Sequence, residues 1–119
     1  MPAEAHSPPP FPPDAEPFSC DVQPERDAVR VFAVGALDMA TASVLEAQLA
    51  ELREAGFRRL ILDLSRLEFM DSTGLRLILA MDAAARGDGF SIAVVPGPPA
   101  VQRVFETTGT VGVVPFTRD

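Results

Sequence analysis

From Leu60 to Met81 the chain reads LILDLSRLEFMDSTGLRLILAM, two apolar runs on either side of the polar knot Asp71-Ser72-Thr73-Gly74. The unbroken Leu60-Ile61-Leu62 asks for burial on both faces, the condition of a strand inside a covered parallel sheet. After the knot, apolar residues recur at helical spacing. A buried strand and a buried helix joined with almost no slack commit the chain to layered α/β architecture. Ser72 falls in the first turn of that helix, where backbone N–H groups have no intrahelical partner. Its hydroxyl reads either as an ordinary helix cap or as a side chain displayed for modification.

The rest of the chain supplies the layers. Ser19–Val22 and Ala28–Val34 are short strands joined through Pro24-Glu25-Arg26-Asp27, which predicts an antiparallel hairpin. Gly35 suits a bend or close backbone approach at the end of the second strand. Ala42, Leu45, Leu49 and Leu52 make the apolar stripe of a helix over Thr41–Ala55, stopped by Gly56. Arg58–Leu64 is the buried strand, Ser72 to about Arg86 the second helix, Gly87-Asp88-Gly89 a turn and Phe90–Val95 a further strand. Pro98 and Pro99 open a short helix carrying Val101, Val104 and Phe105 and ended by Gly109. Val111–Phe116 reads as a last strand. The predicted order is β-β-α-β-α-β-α-β, with right-handed crossovers and a largely parallel sheet. Residues 1–18, with seven prolines, read as an extended polyproline-like tail, leaving one domain over 19–119.

Composition narrows the chemistry. With 17 acidic against 10 basic residues, the net charge of −7 opposes binding to a phosphate backbone. All ten cations are Arg, so no lysine is present for Schiff-base or P-loop chemistry. His6 is the sole histidine and Cys20 the sole cysteine, which argues against a Ser-His-Asp triad, a disulfide and a cysteine metal cluster. Neither a membrane span nor a secretory signal is visible, so a cytoplasmic protein that is no enzyme, needs no cofactor and contacts neither nucleic acid nor membrane is expected.

Winding the second helix at about 100° per residue places Gly74, Leu77, Ile78, Met81 and Ala85 on the core side. Ser72 falls opposite, with Arg76, Leu79, Ala83 and Arg86, and Leu75 at the edge of that side. Leucines beside a hydroxyl and arginines suit a protein-binding surface, with Leu75, Arg76 and Leu79 as its residues, and equally suit leucines covered by neighbouring loops or a terminal segment. A phosphate on Ser72 would add nearly two negative charges at a helix N-terminus, where the macrodipole tolerates anions. Asp71, and Asp38 where its loop lies nearby, would oppose the new charge and keep it pointing outward. The fold survives, and a docked partner reads the change.

These residues resemble the STAS domain family, most closely its stand-alone bacterial anti-sigma factor antagonists. Gly35-Ala36-Leu37-Asp38 followed by Thr41-Ala42 is similar to the family's Gly-x-Leu-Asp-x-x-Thr-Ala. Leu62-Asp63-Leu64 through Phe69-Met70-Asp71-Ser72-Thr73-Gly74-Leu75 is similar to its signature around a phosphorylated serine. The Gly87-Asp88-Gly89 break and Val104-Phe105-Glu106-Thr107-Thr108-Gly109 also match in order. The resemblance implies a STAS-like α/β fold and a phosphate acceptor at Ser72, flanked by Asp38, Asp71, Thr73 and Gly74. It implies two partners: an anti-sigma factor that is itself a serine kinase, and a PP2C-type phosphatase that resets the switch. The family alternative is a non-switching STAS module of a lipid transporter or a stress-signalling scaffold. Relatives continue into a C-terminal helix that is short or absent here, so exposed apolar surface and weak self-association are expected.

Overall fold

The computed structural model describes residues 17–117; the expected tail over 1–18 lies almost wholly outside them. β1 (Ser19–Pro24) and β2 (Val29–Leu37) form the predicted antiparallel hairpin, Ser19 opposite Val34 and Pro24 opposite Val29. α1 (Ala42–Glu54) buries Leu45, Leu49 and Leu52, three residues of the expected stripe. β3 (Arg59–Asp63) then pairs parallel with β2, and β5 (Ser91–Val95) parallel with β3. α2 (Ser72–Asp88) enters between them, and α3 (Pro99–Thr108) closes the set with Pro98 at its N-cap. The sheet has five strands, ordered β1-β2-β3-β5 with β4 (Leu67–Met70) paired to β2. One core runs through it, with Leu62, Val94, Ile78 and Phe105 all fully or almost fully buried.

Three features correct the sequence reading. Leu67–Met70 is a strand, β4, which pairs parallel with the far end of β2 at Gly35, Ala36 and Leu37. It is four residues long, interrupted by exposed Glu68 and preceded by a turn, so no strand period stands out. The turn forms because the Asp63 carboxylate, buried and paired to Arg30 at 2.9 Å, also accepts the Ser65 N–H at 2.9 Å. β2 runs on through Gly35, at φ +95°, where the register with β4 shifts. The glycine is therefore a bend inside the strand and not its end.

The expected last strand, Val111–Phe116, is mostly turn. Val113 and Val114 donate to the Thr110 carbonyl at 3.0 and 3.2 Å, and only Phe116 bridges to Val94 of β5. Gly112 and Pro115 interrupt the run; Pro115 has no N–H to give a ladder. Val111 and Val113 remain 45% and 54% exposed, where a central strand would bury them. The observed order is thus β-β-α-β-β-α-β-α.

The third correction concerns α2, which runs through the expected turn at Gly87-Asp88 and stops at Gly89, φ +76°. Its buried stripe is Gly74, Leu75, Ile78, Met81, Asp82 and Ala85. Leu75, expected at the edge of the exposed side, is core at 5% exposure, and Leu77, expected in the core, is half-buried. The stripe is rotated because it holds a carboxylate, Asp82, which pairs with Arg86 one turn on. A reading that follows apolar residues alone passes over Asp82 and turns the helix toward Leu77.

Candidate functional site

The site lies where the C-terminal ends of the parallel strands β2 and β4 lead into the starts of α1 and α2. Leu37 and Met70 are register partners, and the Asp71 N–H donates to the Leu37 carbonyl at 3.2 Å. This seats Asp71 beside the loop that begins at Asp38. The two carboxylates share one depression of about 290 Å³ with Met39, Ala40 and Phe69. The proximity expected for Asp38 is therefore present.

Each carboxylate has local work. Oδ1 of Asp38 accepts the N–H groups of Ala40 and Thr41 at 2.9 and 3.2 Å, folding the loop into an Asx-type turn that leads into α1. The Thr41 hydroxyl donates to the Ala36 carbonyl at 2.8 Å and tightens the same turn. Asp71 is the N-cap of α2: its Oδ1 accepts from Thr73 N at 2.8 Å and Gly74 N at 3.4 Å. Asp is among the strongest N-cap residues because its oxygen satisfies N–H groups that the helix leaves open.

That assignment frees Ser72. As the first residue of α2 it is exposed, and its hydroxyl makes no hydrogen bond to any described residue. Of the two readings of the hydroxyl, cap or displayed side chain, the cap is supplied by Asp71. Thr73 is half-buried, so of the two neighbouring hydroxyls Ser72 is the more accessible. Asp71→Ala is expected to lower stability by about 1 kcal/mol, the worth of an N-cap, seen as a Tm drop of roughly 4–8 °C for a domain of this size.

Gly74 explains how the helix start comes so close to the sheet. A Cβ there would lie 2.7 Å from Met70 Cγ and 2.9 Å from Leu37 Cγ and Cδ2, both side chains being buried. Gly74→Ala is expected to cost about 1–3 kcal/mol as an overpacked contact and to shift Ser72, measurable by chemical denaturation.

Of the surface residues expected from sequence, Arg76 is exposed and has no ion pair among the described residues, and Leu79 is half-buried against the core. Leu75 does not belong to that surface. The structure adds two residues that the sequence reading missed. Phe69, on β4, is half-buried and lines the depression beside Asp71, and Met39, in the Asp38 loop, is 80% exposed. An apolar Met in a loop otherwise built from Asp38, Ala40 and Thr41 was the available signal for the second. Among the described residues no group of three or more His, Cys, Asp or Glu side chains is placed to hold a metal, and no helix is long and apolar enough to cross a membrane.

Fold and site define a class: a small α/β domain that displays one free hydroxyl at a capped helix start, between two strand ends and an acidic loop. Known proteins share the family and the fold. Residues 20–115 match the family described as Mlab, STAS domain. BtrV of Bordetella bronchiseptica, whose name assigns it to the anti-sigma factor antagonists, is 36% identical over 81 residues, covering 68% of this chain and 70% of that protein. The anti-sigma-B factor antagonist of Staphylococcus aureus is 32% identical over 75 residues, 63% of this chain and 69% of its own. The crystal structure of an anti-sigma factor antagonist from Mycobacterium paratuberculosis superposes with a TM-score of 0.72 at 26% identity, covering 87% of each chain. Unphosphorylated SpoIIAA shares the fold, with a TM-score of 0.67 at 22% identity over 85% of this chain and 86% of its own. The chain belongs to the STAS domain family.

Proposed function

We infer that this protein is an anti-sigma factor antagonist that works as a phosphorylation switch. Unmodified, it binds an anti-sigma factor that is also a serine kinase through the face around Ser72, and so releases a sigma factor. Phosphate on Ser72 breaks that complex, and a PP2C-type phosphatase restores it. The observation that carries this reading is the exposed, unbonded Ser72 hydroxyl, left free because Asp71 caps the helix. The names of the relatives agree with it, and the reading puts the protein in the cytoplasm with no catalytic step of its own.

Asp71, half-buried at the helix start, and Asp38, buried but lining the same depression, make this end of the face acidic, suited to a basic group on the kinase. A phosphate on Ser72 must be stripped of water beneath the docked partner and adds bulk and like charge next to Asp71, so binding is lost without any need to refold the domain. The test is displacement. Added to a purified complex of sigma factor and kinase anti-sigma factor, the unmodified chain should release sigma, and the Ser72-phosphorylated chain should not. Equal release by both would refute the switch.

One observation favours the non-switching alternative: the matched family description names Mlab, not an antagonist. A chain that shows no affinity for any kinase anti-sigma factor but co-purifies with transporter subunits would establish that reading.

A further inference from the structure

Beside the Ser72 face lies a second apolar surface, built in part from residues of the β4 and α3 motifs. Between β4 and α3 runs an open groove of about 400 Å³, walled by Phe69 and Met70 on one side and Ala100 and Val104 on the other. Arg103 stands at its rim with Thr107 and Thr108. The surface of the groove is almost wholly carbon. Its one charge, Arg103, is exposed and has no ion pair with any described residue.

The groove is not isolated. Phe69 lines both it and the depression that holds Asp38 and Asp71, so its ring joins the two. Met70, in the groove wall, precedes the N-cap Asp71 directly in sequence. A partner seated over Ser72 therefore finds a continuous apolar strip leading away from the hydroxyl toward α3, acidic at the Ser72 end and cationic at the other. Binding energy in such contacts concentrates where an apolar side chain fills a pocket, while charges at the rim fix orientation and exclude wrong partners.

We propose that the groove between β4 and α3 is a second docking point for the protein partner of the Ser72 face, taking an apolar side chain of that partner between Phe69 and Val104 and pairing a partner carboxylate with Arg103. The proposal rests on the reading of Ser72 as the switch and specifies the partner's chemistry. The partner carries a basic group opposite Asp38 and Asp71 and, further along, an apolar anchor next to an acidic residue. Complementarity of opposite sign at the two ends sets the direction in which the partner lies.

The experiment uses the full chain and the purified kinase anti-sigma factor that phosphorylates it, with association and dissociation rates measured by surface plasmon resonance. Arg103→Glu reverses the free charge, and Ala100→Glu places a carboxylate in the groove wall. Both positions are exposed, and an added acidic residue in the first turn of α3 suits the helix dipole. Arg26→Glu, in the turn at the opposite end of the β1–β2 hairpin, is the control for overall charge. The proposal expects Arg103→Glu and Ala100→Glu each to weaken binding at least ten-fold, mainly through faster dissociation, with unchanged thermal unfolding and with Arg26→Glu close to wild type. It is overturned if both groove variants bind like wild type, or if Arg26→Glu loses as much as Arg103→Glu, which is charge steering without docking. A wild-type chain that neither binds the kinase nor is phosphorylated overturns the reading beneath it, an outcome distinct from kinase binding that ignores the groove.

Discussion

Ser72→Asp is expected to weaken binding to the kinase anti-sigma factor by about two orders of magnitude while leaving thermal unfolding nearly unchanged. A fixed charge that docking strips of water costs several kcal/mol, and about 2.7 kcal/mol corresponds to a hundred-fold. The same charge costs the fold little. Ser72 is exposed, its hydroxyl makes no bond to any described residue, and it sits at the positive end of the α2 dipole. Asp71 opposes the new carboxylate, but Asp71 already faces inward on the N–H groups of Thr73 and Gly74. Titration calorimetry alongside thermal melts checks both halves. A large Tm loss would mean that Ser72 is structural after all.

Leu75→Arg is expected to abolish cooperative folding. Leu75 is 5% exposed in the stripe that packs α2 on the sheet. Truncating a buried leucine alone costs about 2–5 kcal/mol, and an unpaired buried charge adds several more. A domain of total stability near 5–15 kcal/mol does not absorb both. Leu79→Arg, one turn further along, is expected to cost only about 1 kcal/mol, because a half-buried site lets the guanidinium reach water along its aliphatic stem. Far-UV circular dichroism with urea titration separates the two. Leu79→Arg then reports on partner affinity in a folded protein, whereas Leu75→Arg cannot.

The contrast between these leucines shows what the amino-acid pattern carried and what it did not. Period and punctuation placed the hairpin, the α1 stripe and the proline-opened α3, because each is set by local spacing and by Gly or Pro at its ends. Ser72 was legible from the motif, and so was its exposure. The face of α2 was not, since Asp82 takes a core position while pairing with Arg86 one turn on, and apolar periodicity does not count a buried carboxylate. Whether the Ser72 hydroxyl caps the helix was left open, and only the distances from Asp71 to Thr73 and Gly74 give the cap to Asp71. β4 escaped because four residues with one exposed glutamate carry too little pattern, and with it went Phe69, whose place beside Asp38 depends on the pairing of β4 with β2. The valines of 111–114 misled in the other direction: strong strand formers were held in a turn by the surrounding Gly112 and Pro115.

Intact-mass and peptide-fragmentation analysis of the full chain, after incubation with the kinase anti-sigma factor and ATP, addresses the switch most directly. One phosphate on Ser72 is predicted, absent from Ser72→Ala and retained in Thr73→Ala, with the kinase complex lost once it is added. A chain that stays folded and bound to the kinase yet takes up no phosphate, or takes it up on Thr73 with Ser72 unmodified, contradicts the switch.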